Sequence, residues 1–189
     1  MITTGQPPKG SSRVAPRVAW ILWGVTAAII APGMVLVVLT RSVPDSSYGT
    51  WYLWLLFMLG YLSFPTVGLL IAVRQPANPL GWLLLRFGLT LGLNDGMHAY
   101  GNYTLVYRPG ALPAGLAIGW VSTWNWAFIF SRFPFLFLLF PDGRLPSRRW
   151  RPVAWVAGLL GGLVVLLSPF RAGPLEYFPR IENPVGIRA

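Results

Sequence analysis

The stretch that decides the fold is residues 18–40, which read VAWILWGVTAAIIAPGMVLVVLT. It carries no charged residue and is long enough for a helix that crosses a bilayer, which needs about 20 apolar residues. Lys9, Arg13 and Arg17 precede it, as basic residues precede the apolar region of a secretory signal. The block exceeds the usual signal length of about 7–15 residues, and no A-x-A cleavage site follows. We therefore predict a retained transmembrane helix.

The composition extends this interpretation to the whole chain. Of its 189 residues 54% are hydrophobic and only 11% are charged, against about 25% charged in an ordinary soluble domain. The net charge of +10 comes from basic residues that mostly flank apolar blocks, so we expect anionic lipid headgroups, not nucleic acid, as their partners. The chain has no cysteine and one histidine, which excludes disulfides and multi-histidine metal sites, and we expect no cofactor and no bound metal.

The apolar blocks predict an all-α fold, a polytopic bundle of about five transmembrane helices in a bacterial plasma membrane. Residues 1–16 are predicted to be a disordered cytoplasmic lead, 17–168 the membrane domain and 169–189 a tail. Pro65 is expected to bend the second helix, and Asn78-Pro79 to cap and begin the third. The five predicted spans are 17–39, 50–73, 79–106, 114–140 and 152–168.

The distribution of basic residues predicts a cytoplasmic N-terminus. With that orientation eight basic residues lie on the cytoplasmic side and five on the other. The cytoplasmic set is Lys9, Arg13, Arg17, Arg74, Arg144, Arg148, Arg149 and Arg151, and the opposite set is Arg41, Arg108, Arg171, Arg180 and Arg188. Within the spans, Arg86 and Arg132 are expected to extend toward the cytoplasmic interface.

Residues 183–186 (NPVG) echo residues 78–81 (NPLG), which open the predicted third helix. We therefore expect the tail to hold the truncated start of a further helix and the chain to be a fragment of a longer protein.

Glycine spacing predicts close helix packing. Gly88, Gly92 and Gly96 recur every fourth residue, and Gly158 and Gly162 share that spacing. Such stripes let helices approach closely in lipid. They serve either packing within the chain or a homodimer interface.

Polar residues in the third and fourth spans form a candidate site. Asp95, His98 and Asn102 follow one another at spacings of three and four, which places them on one helix face. Asn125 falls at a similar depth, about 20 Å from the cytoplasmic end. Ionisable groups within a membrane usually face the bundle interior. The four residues either line a polar cavity that binds a ligand or senses pH, or form a structural hydrogen-bond cluster.

The chain carries none of the usual catalytic or nucleotide-binding motifs, so we expect no enzyme activity and no ATP binding. Two segments are nevertheless distinctive. Residues 78–85 read NPLGWLLL, and residues 140–150 read FPDGRLPSRRW. The arginines of the second segment, Arg144, Arg148, Arg149 and Arg151, are expected to bind lipid headgroups and fix topology.

Over roughly residues 60–186 the chain resembles the N-terminal membrane region of sensor histidine kinases common in actinobacteria and related high-GC bacteria. The resemblance implies an input or anchoring module of a two-component system. The phospho-acceptor and ATP-binding motifs of such kinases are missing from this sequence, so the kinase core is expected to lie outside it. The alternatives are a small stand-alone transport or channel protein and a structural subunit that binds another membrane protein through its glycine stripe.

Overall fold

A computed structural model describes residues 14–42, 50–140 and 143–187 of the chain. The described part is mostly helical. Its α-helices are Val14–Leu39 (α1), Trp51–Tyr61 (α2), Ser63–Arg74 (α3), Pro79–Gly101 (α4), Gly115–Leu138 (α5) and Arg151–Leu167 (α6). A π-helix at Asn102–Tyr107 extends α4, and short 3₁₀ turns at Arg148–Trp150 and Ser168–Phe170 flank α6. Strands Pro174–Leu175 (β1) and Phe178–Glu182 (β2) form an antiparallel hairpin.

Three segments of the described chain are long and apolar enough to cross a membrane: Ala15–Leu39, Trp51–Arg74 and Arg148–Phe170. Helices α4 and α5 are long but more polar, because α4 carries Arg86, Asp95 and His98, and α5 carries Asn125 and Arg132. By length and composition alone, three of the five predicted spans therefore have membrane-spanning character.

Helix α4 is the centre of the bundle. It packs against α1, α3 and α5, whereas α6 packs mainly against α5. The position of α4 explains its composition, because a helix covered on three sides can turn its polar residues toward other helices. Between 79 and 101 most of its buried positions are glycine, leucine or a polar residue.

The glycines of α4 set how closely its neighbours approach. A Cβ added at Gly88 would overlap Pro65 Cδ in α3, and one at Gly92 would lie 3.0 Å from Ile30 Cγ1 in α1. At Gly96 the nearest atom would be Ile29 Cγ2, at 3.0 Å. In this structure the stripe serves contacts within the chain, which is one of the two roles that its spacing predicted.

The glycine contact of α6 differs from the predicted one. A Cβ at Gly161 would lie 2.8 Å from Ser131 Cβ in α5. At Gly162 no atom lies within 4 Å, and at Gly158 the nearest is Phe135 Cζ at 3.7 Å. The spacing of four pointed to Gly158 and Gly162, but the residues of α6 that face α5 include Gly161, one position away.

The second predicted helix is divided at Leu62 into α2 and α3. The break lies three residues before Pro65, which occupies the third position of α3. Proline is tolerated in the first turn of a helix, where no backbone N–H needs an intrahelical acceptor. The backbone of Leu62 keeps helical angles, with φ −64° and ψ −18°, so α2 and α3 form one membrane-length segment with a local interruption near Pro65.

The two ends of the chain also differ from prediction. Helix α1 begins at Val14, so at least residues 14–16 of the predicted disordered lead are helical. The rest of the lead, the loop at 43–49, Pro141 with Asp142, and Arg188 lie outside the described residues. In the tail, residues 183–187 follow strand β2 without forming a helix. The structure thus places a hairpin and a turn where the start of a further helix was expected.

Candidate functional site

Asp95 and His98 lie side by side on α4, under the β-hairpin. Both are almost fully buried, at 5% and 2% exposure. Asp95 Oδ1 accepts a hydrogen bond of 3.1 Å from Asn94 Nδ2, while Asp95 Oδ2 is buried and has no hydrogen-bond partner among the described residues. A carboxylate oxygen without a donor is costly to bury, so this site is held in place by the surrounding packing.

Aromatic rings surround the imidazole of His98. It stacks on Tyr177 with ring centroids 4.4 Å apart, and meets Trp54 at 6.0 Å and Phe178 at 5.9 Å, both edge to face. Trp54 comes from α2, whereas Tyr177 and Phe178 come from the hairpin. We call Asp95, His98, Trp54, Tyr177 and Phe178 the capped cluster. Three of its rings lie against His98, one of the residues for which the sequence suggested a small polar cavity.

The other two predicted site residues lie beside this cluster. Asn102 begins the π-helix and is 2% exposed, and its Nδ2 has no hydrogen-bond partner within the described ranges. Asn125 is buried in α5, and its Nδ2 donates to the backbone oxygen of Thr90 over 3.3 Å. Asn125 therefore joins α5 to α4 at Thr90. Thr90 precedes Asp95 by five residues in α4.

Arg132 joins the same α4–α5 contact. Its Nη1 donates to Thr90 Oγ1 over 3.0 Å and to Phe128 O over 3.2 Å. Phe128 precedes Arg132 by one turn of α5, so the side chain is directed away from the C-terminal end of that helix. Arg132 thus bonds to the Thr90 hydroxyl inside the bundle, and does not extend toward the C-terminal end of α5 as predicted. Arg86, by contrast, is exposed.

The hairpin is seated between the ends of α4 and α5. A Cβ added at Gly101 would lie 2.7 Å from Phe178 Cζ and 3.1 Å from Gly119 Cα, so the ring covers the point where the two glycines meet. Leu175 and Phe178 are 3% and 2% exposed. Arg171 Nη1 and Glu176 Oε2 form an ion pair of 3.2 Å beside it. We call the end of the bundle at which the hairpin covers Gly101 and Gly119 the hairpin end.

Tyr177 of the hairpin lies close enough to the carboxyl group of Asp95 to be influenced by its charge. Burial, helped by the nearby carboxylates of Glu176 and Asp95, raises the pKa of the Tyr177 phenol above its ordinary value. The phenol is therefore neutral at physiological pH, and its ring lies on the imidazole without adding a charge.

The two distinctive sequence segments meet at the opposite end, which we call the motif end. Asn78 caps α4 by accepting from Leu80 N over 3.0 Å. Gly143 adopts a positive φ of 71°, and a Cβ on it would lie 2.6 Å from both Asn78 Oδ1 and Pro79 Cδ. Glycine is therefore required there by conformation and by space. The segments at 78–85 and 140–150 thus build one contact.

Arginines crowd the motif end. Arg144, Arg148, Arg149 and Arg151 are all exposed, as is Arg74 at the end of α3. The 3₁₀ turn Arg148–Trp150 leads directly into α6, and Trp150 is 44% exposed beside them. The contact of these arginines with lipid headgroups stays a prediction.

Comparisons with protein-family models, with curated proteins and with solved structures found no match to this chain.

Sequence reasoning missed the residues that close the cluster. Trp54 was one of many tryptophans, and Tyr177 and Phe178 lay in a segment read as a tail. The available signal was the turn-forming Gly173-Pro174, followed by an aromatic pair and a short apolar alternation. The second Asn-Pro segment does repeat the local geometry of the first, since Asn183 Oδ1 accepts from Val185 N over 3.1 Å. It braces the hairpin instead of a helix, because Asn183 Nδ2 donates to Pro169 O and Arg171 O.

Proposed function

We propose that this chain is the membrane-embedded input module of a bacterial two-component sensor histidine kinase, without the kinase core. In this proposal five helices cross the plasma membrane, counting α2 and α3 as one span, and the N-terminus is cytoplasmic. The observation that carries the proposal is the capped cluster, a buried acid and imidazole closed by a hairpin at the end opposite Arg144, Arg148, Arg149 and Arg151.

The arrangement of the two ends supports this role. Basic residues at the motif end favour the cytoplasm, which places the hairpin end outside. An external stimulus therefore meets the hairpin first. Because Tyr177 and Phe178 pack on His98, a change at the hairpin is transmitted to α4, the helix that contacts α1, α3 and α5.

Incomplete hydrogen bonding also supports a site that changes. Besides Asp95 Oδ2, the described residues include unpartnered buried atoms at Asn94 Oδ1, Asn102 Nδ2 and Trp120 Nε1. A purely structural polar cluster is normally fully satisfied. Groups left without partners favour a second arrangement in which a proton, water or ligand satisfies them.

The glycine stripe gives less support to the structural-subunit alternative. Gly88, Gly92 and Gly96 already contact Pro65, Ile30 and Ile29 of the same chain. A partner that used this stripe would have to displace α1 and α3.

A hybrid kinase tests the proposal. The chain is joined, through one added transmembrane helix, to the dimerisation and ATP-binding portion of a characterised sensor kinase, and autophosphorylation is measured in membranes. We expect Asp95→Asn and His98→Ala each to change the output at least fivefold. The control is Thr26→Val, because Thr26 is equally buried but its hydroxyl donates to Leu22 O within its own helix.

Output that responds equally to all three substitutions would assign the effect to general destabilisation. Autophosphorylation that is unchanged by Asp95→Asn and His98→Ala would exclude the sensing role and leave the chain as a membrane anchor of the kinase. Neither result depends on which stimulus is native, because the substitutions act on the cluster directly.

A further inference from the structure

Two grooves meet at Leu145 on the motif end of the bundle. One has a volume of about 640 Å³ and lies between the two distinctive segments, with Asn78, Phe140 and Arg144 in its wall. The other, of about 440 Å³, runs between α5 and α6 past Phe135, Arg151 and Gly158. Leu145 lines both. Each volume falls within the range of small-molecule sites.

The second groove lies where α6 and α5 are not in close contact. Gly161 meets Ser131 closely, while the missing side chain at Gly158 leaves space in front of Phe135. Ala154 and Trp155 complete the wall. No residue of α6 is buried, so this groove opens sideways toward the surroundings of the helix. Its lining is mostly apolar, and it lies beside a segment that is long and apolar enough to cross a membrane.

The first groove is polar and basic. Arg144 lines it and Arg151 lines the apolar groove, so each of the two grooves that share Leu145 has an arginine in its wall. The sequence places one acid in this region, Asp142, against five arginines at positions 74, 144, 148, 149 and 151. The excess positive charge is complementary to a phosphate, and basic pockets between helices on the cytoplasmic side bind such headgroups.

We propose that the two grooves together form a binding site for one anionic phospholipid of the cytoplasmic leaflet. The phosphate lies in the groove between the motif segments, near Arg144 and Arg151, and an acyl chain lies between α5 and α6 over Gly158. The site relies on the membrane orientation proposed above, but it requires neither sensing nor a kinase.

Substitutions at two open glycines test the acyl-chain half of the site. In nanodiscs of phosphatidylcholine containing a small fraction of phosphatidylglycerol, native mass spectrometry counts the phosphatidylglycerol retained by the released protein. Gly158→Leu fills the groove and should reduce retention at least fivefold. Gly60→Leu is the matched control, because Gly60 lies in α2 with no atom within 4 Å of an added Cβ, and it should retain phosphatidylglycerol like the wild type.

Substitutions of arginine test the headgroup half without disturbing helix packing. Arg144→Gln and Arg151→Gln should each weaken phosphatidylglycerol binding about fivefold, the factor that corresponds to about 1 kcal/mol per arginine. Arg149→Gln changes an exposed arginine that lines neither groove and should have a smaller effect. Glycerol 3-phosphate, which has no acyl chain, should not displace the lipid.

Equal losses of phosphatidylglycerol binding in the Arg144, Arg149 and Arg151 variants, together with no effect of Gly158→Leu, would overturn the site. The lipid would then be attracted by the basic surface in general. Displacement by glycerol 3-phosphate would overturn the acyl-chain half. Lipid retention is measured separately from kinase output, so this inference and the proposed function fail independently.

Discussion

Two glycines, Gly68 in α3 and Gly81 in α4, allow these helices to approach each other closely. A Cβ on Gly81 would lie 2.8 Å from Ala72 N, and one on Gly68 would lie 2.8 Å from Gly81 O. Both neighbours are backbone atoms, which cannot turn aside as a flexible side chain can. The NPLG segment therefore requires its glycine for helix contact as well as for the start of α4.

Replacing Gly81 by alanine should destabilise the protein. The added methyl group forces α3 and α4 apart, and overpacking of this kind costs about 1–3 kcal/mol. Thermal unfolding in detergent, followed by circular dichroism, measures the loss. Gly60→Ala adds the same methyl group in open space and should leave stability unchanged or slightly higher. Equal behaviour of the two variants would contradict the close α3–α4 contact.

Alkaline pH should weaken the seating of the hairpin through Tyr177. The raised pKa of its phenol means that the folded chain holds this proton more tightly than an unfolded chain with the ordinary value of about 10. The contribution is complete below that value and is lost as the pH rises through the folded pKa. The tyrosinate absorbance of the wild type minus that of Tyr177→Phe should titrate above the ordinary value. A difference curve centred at or below that value would be incompatible with a half-buried Tyr177 beside the carboxylates of Glu176 and Asp95.

Residue patterns predicted Asp95 and His98 as neighbours, because a spacing of three fixes their common face on any helix. They did not predict which rings lie against His98, since Trp54 and Tyr177 are distant from it in sequence. The same distinction holds for glycine. The stripe at 88, 92 and 96 predicted close contacts, but the choice between α1, α3 and a second chain depends on tertiary packing.

The hairpin is the element on which the candidate site depends. Strand β1 has two residues and β2 has five, with Pro179 inside β2. Segments this short carry little periodic signal, and proline argues against a strand. Its order comes from tertiary contacts instead, chiefly Phe178 on Gly101 and Gly119. Sequence could therefore give the helices of this bundle but not the element that covers their ends.

Shortening Phe178 to alanine should release the hairpin while the helices stay folded. Removing a buried phenylalanine ring costs about 3–5 kcal/mol, and the hairpin has few other buried side chains. Hydrogen exchange over residues 174–187 should become much faster, with little change in α4 or α5. Ile187→Ala is the control, because that side chain is 65% exposed. Unchanged exchange in the Phe178 variant would show that other contacts hold the hairpin.

For the whole molecule, the natural lack of cysteine makes topology directly measurable. A single cysteine introduced by Ala77→Cys lies at the motif end and should react with an impermeant maleimide only after cells are lysed. Ala111→Cys, in the loop between the π-helix and α5, should react in intact cells. The reverse pattern would invert the orientation. Labelling of both sites in intact cells would rule out the proposed crossing of α4.

The break at Leu62 has a consequence for how the protein meets bilayers of different thickness. Helix α3 is packed tightly on α4, whereas α2 makes fewer contacts and its outer face is rich in exposed apolar residues such as Leu56 and Phe57. A hydrophobic stretch adjusts to a thinner or thicker bilayer by tilting, and the α2 half of this segment, with Met58 as its one buried residue against four in α3, is the less tightly packed half. Because the Trp54 ring of that half meets the His98 ring edge to face, we expect a tilt of α2 to change the surroundings of the imidazole.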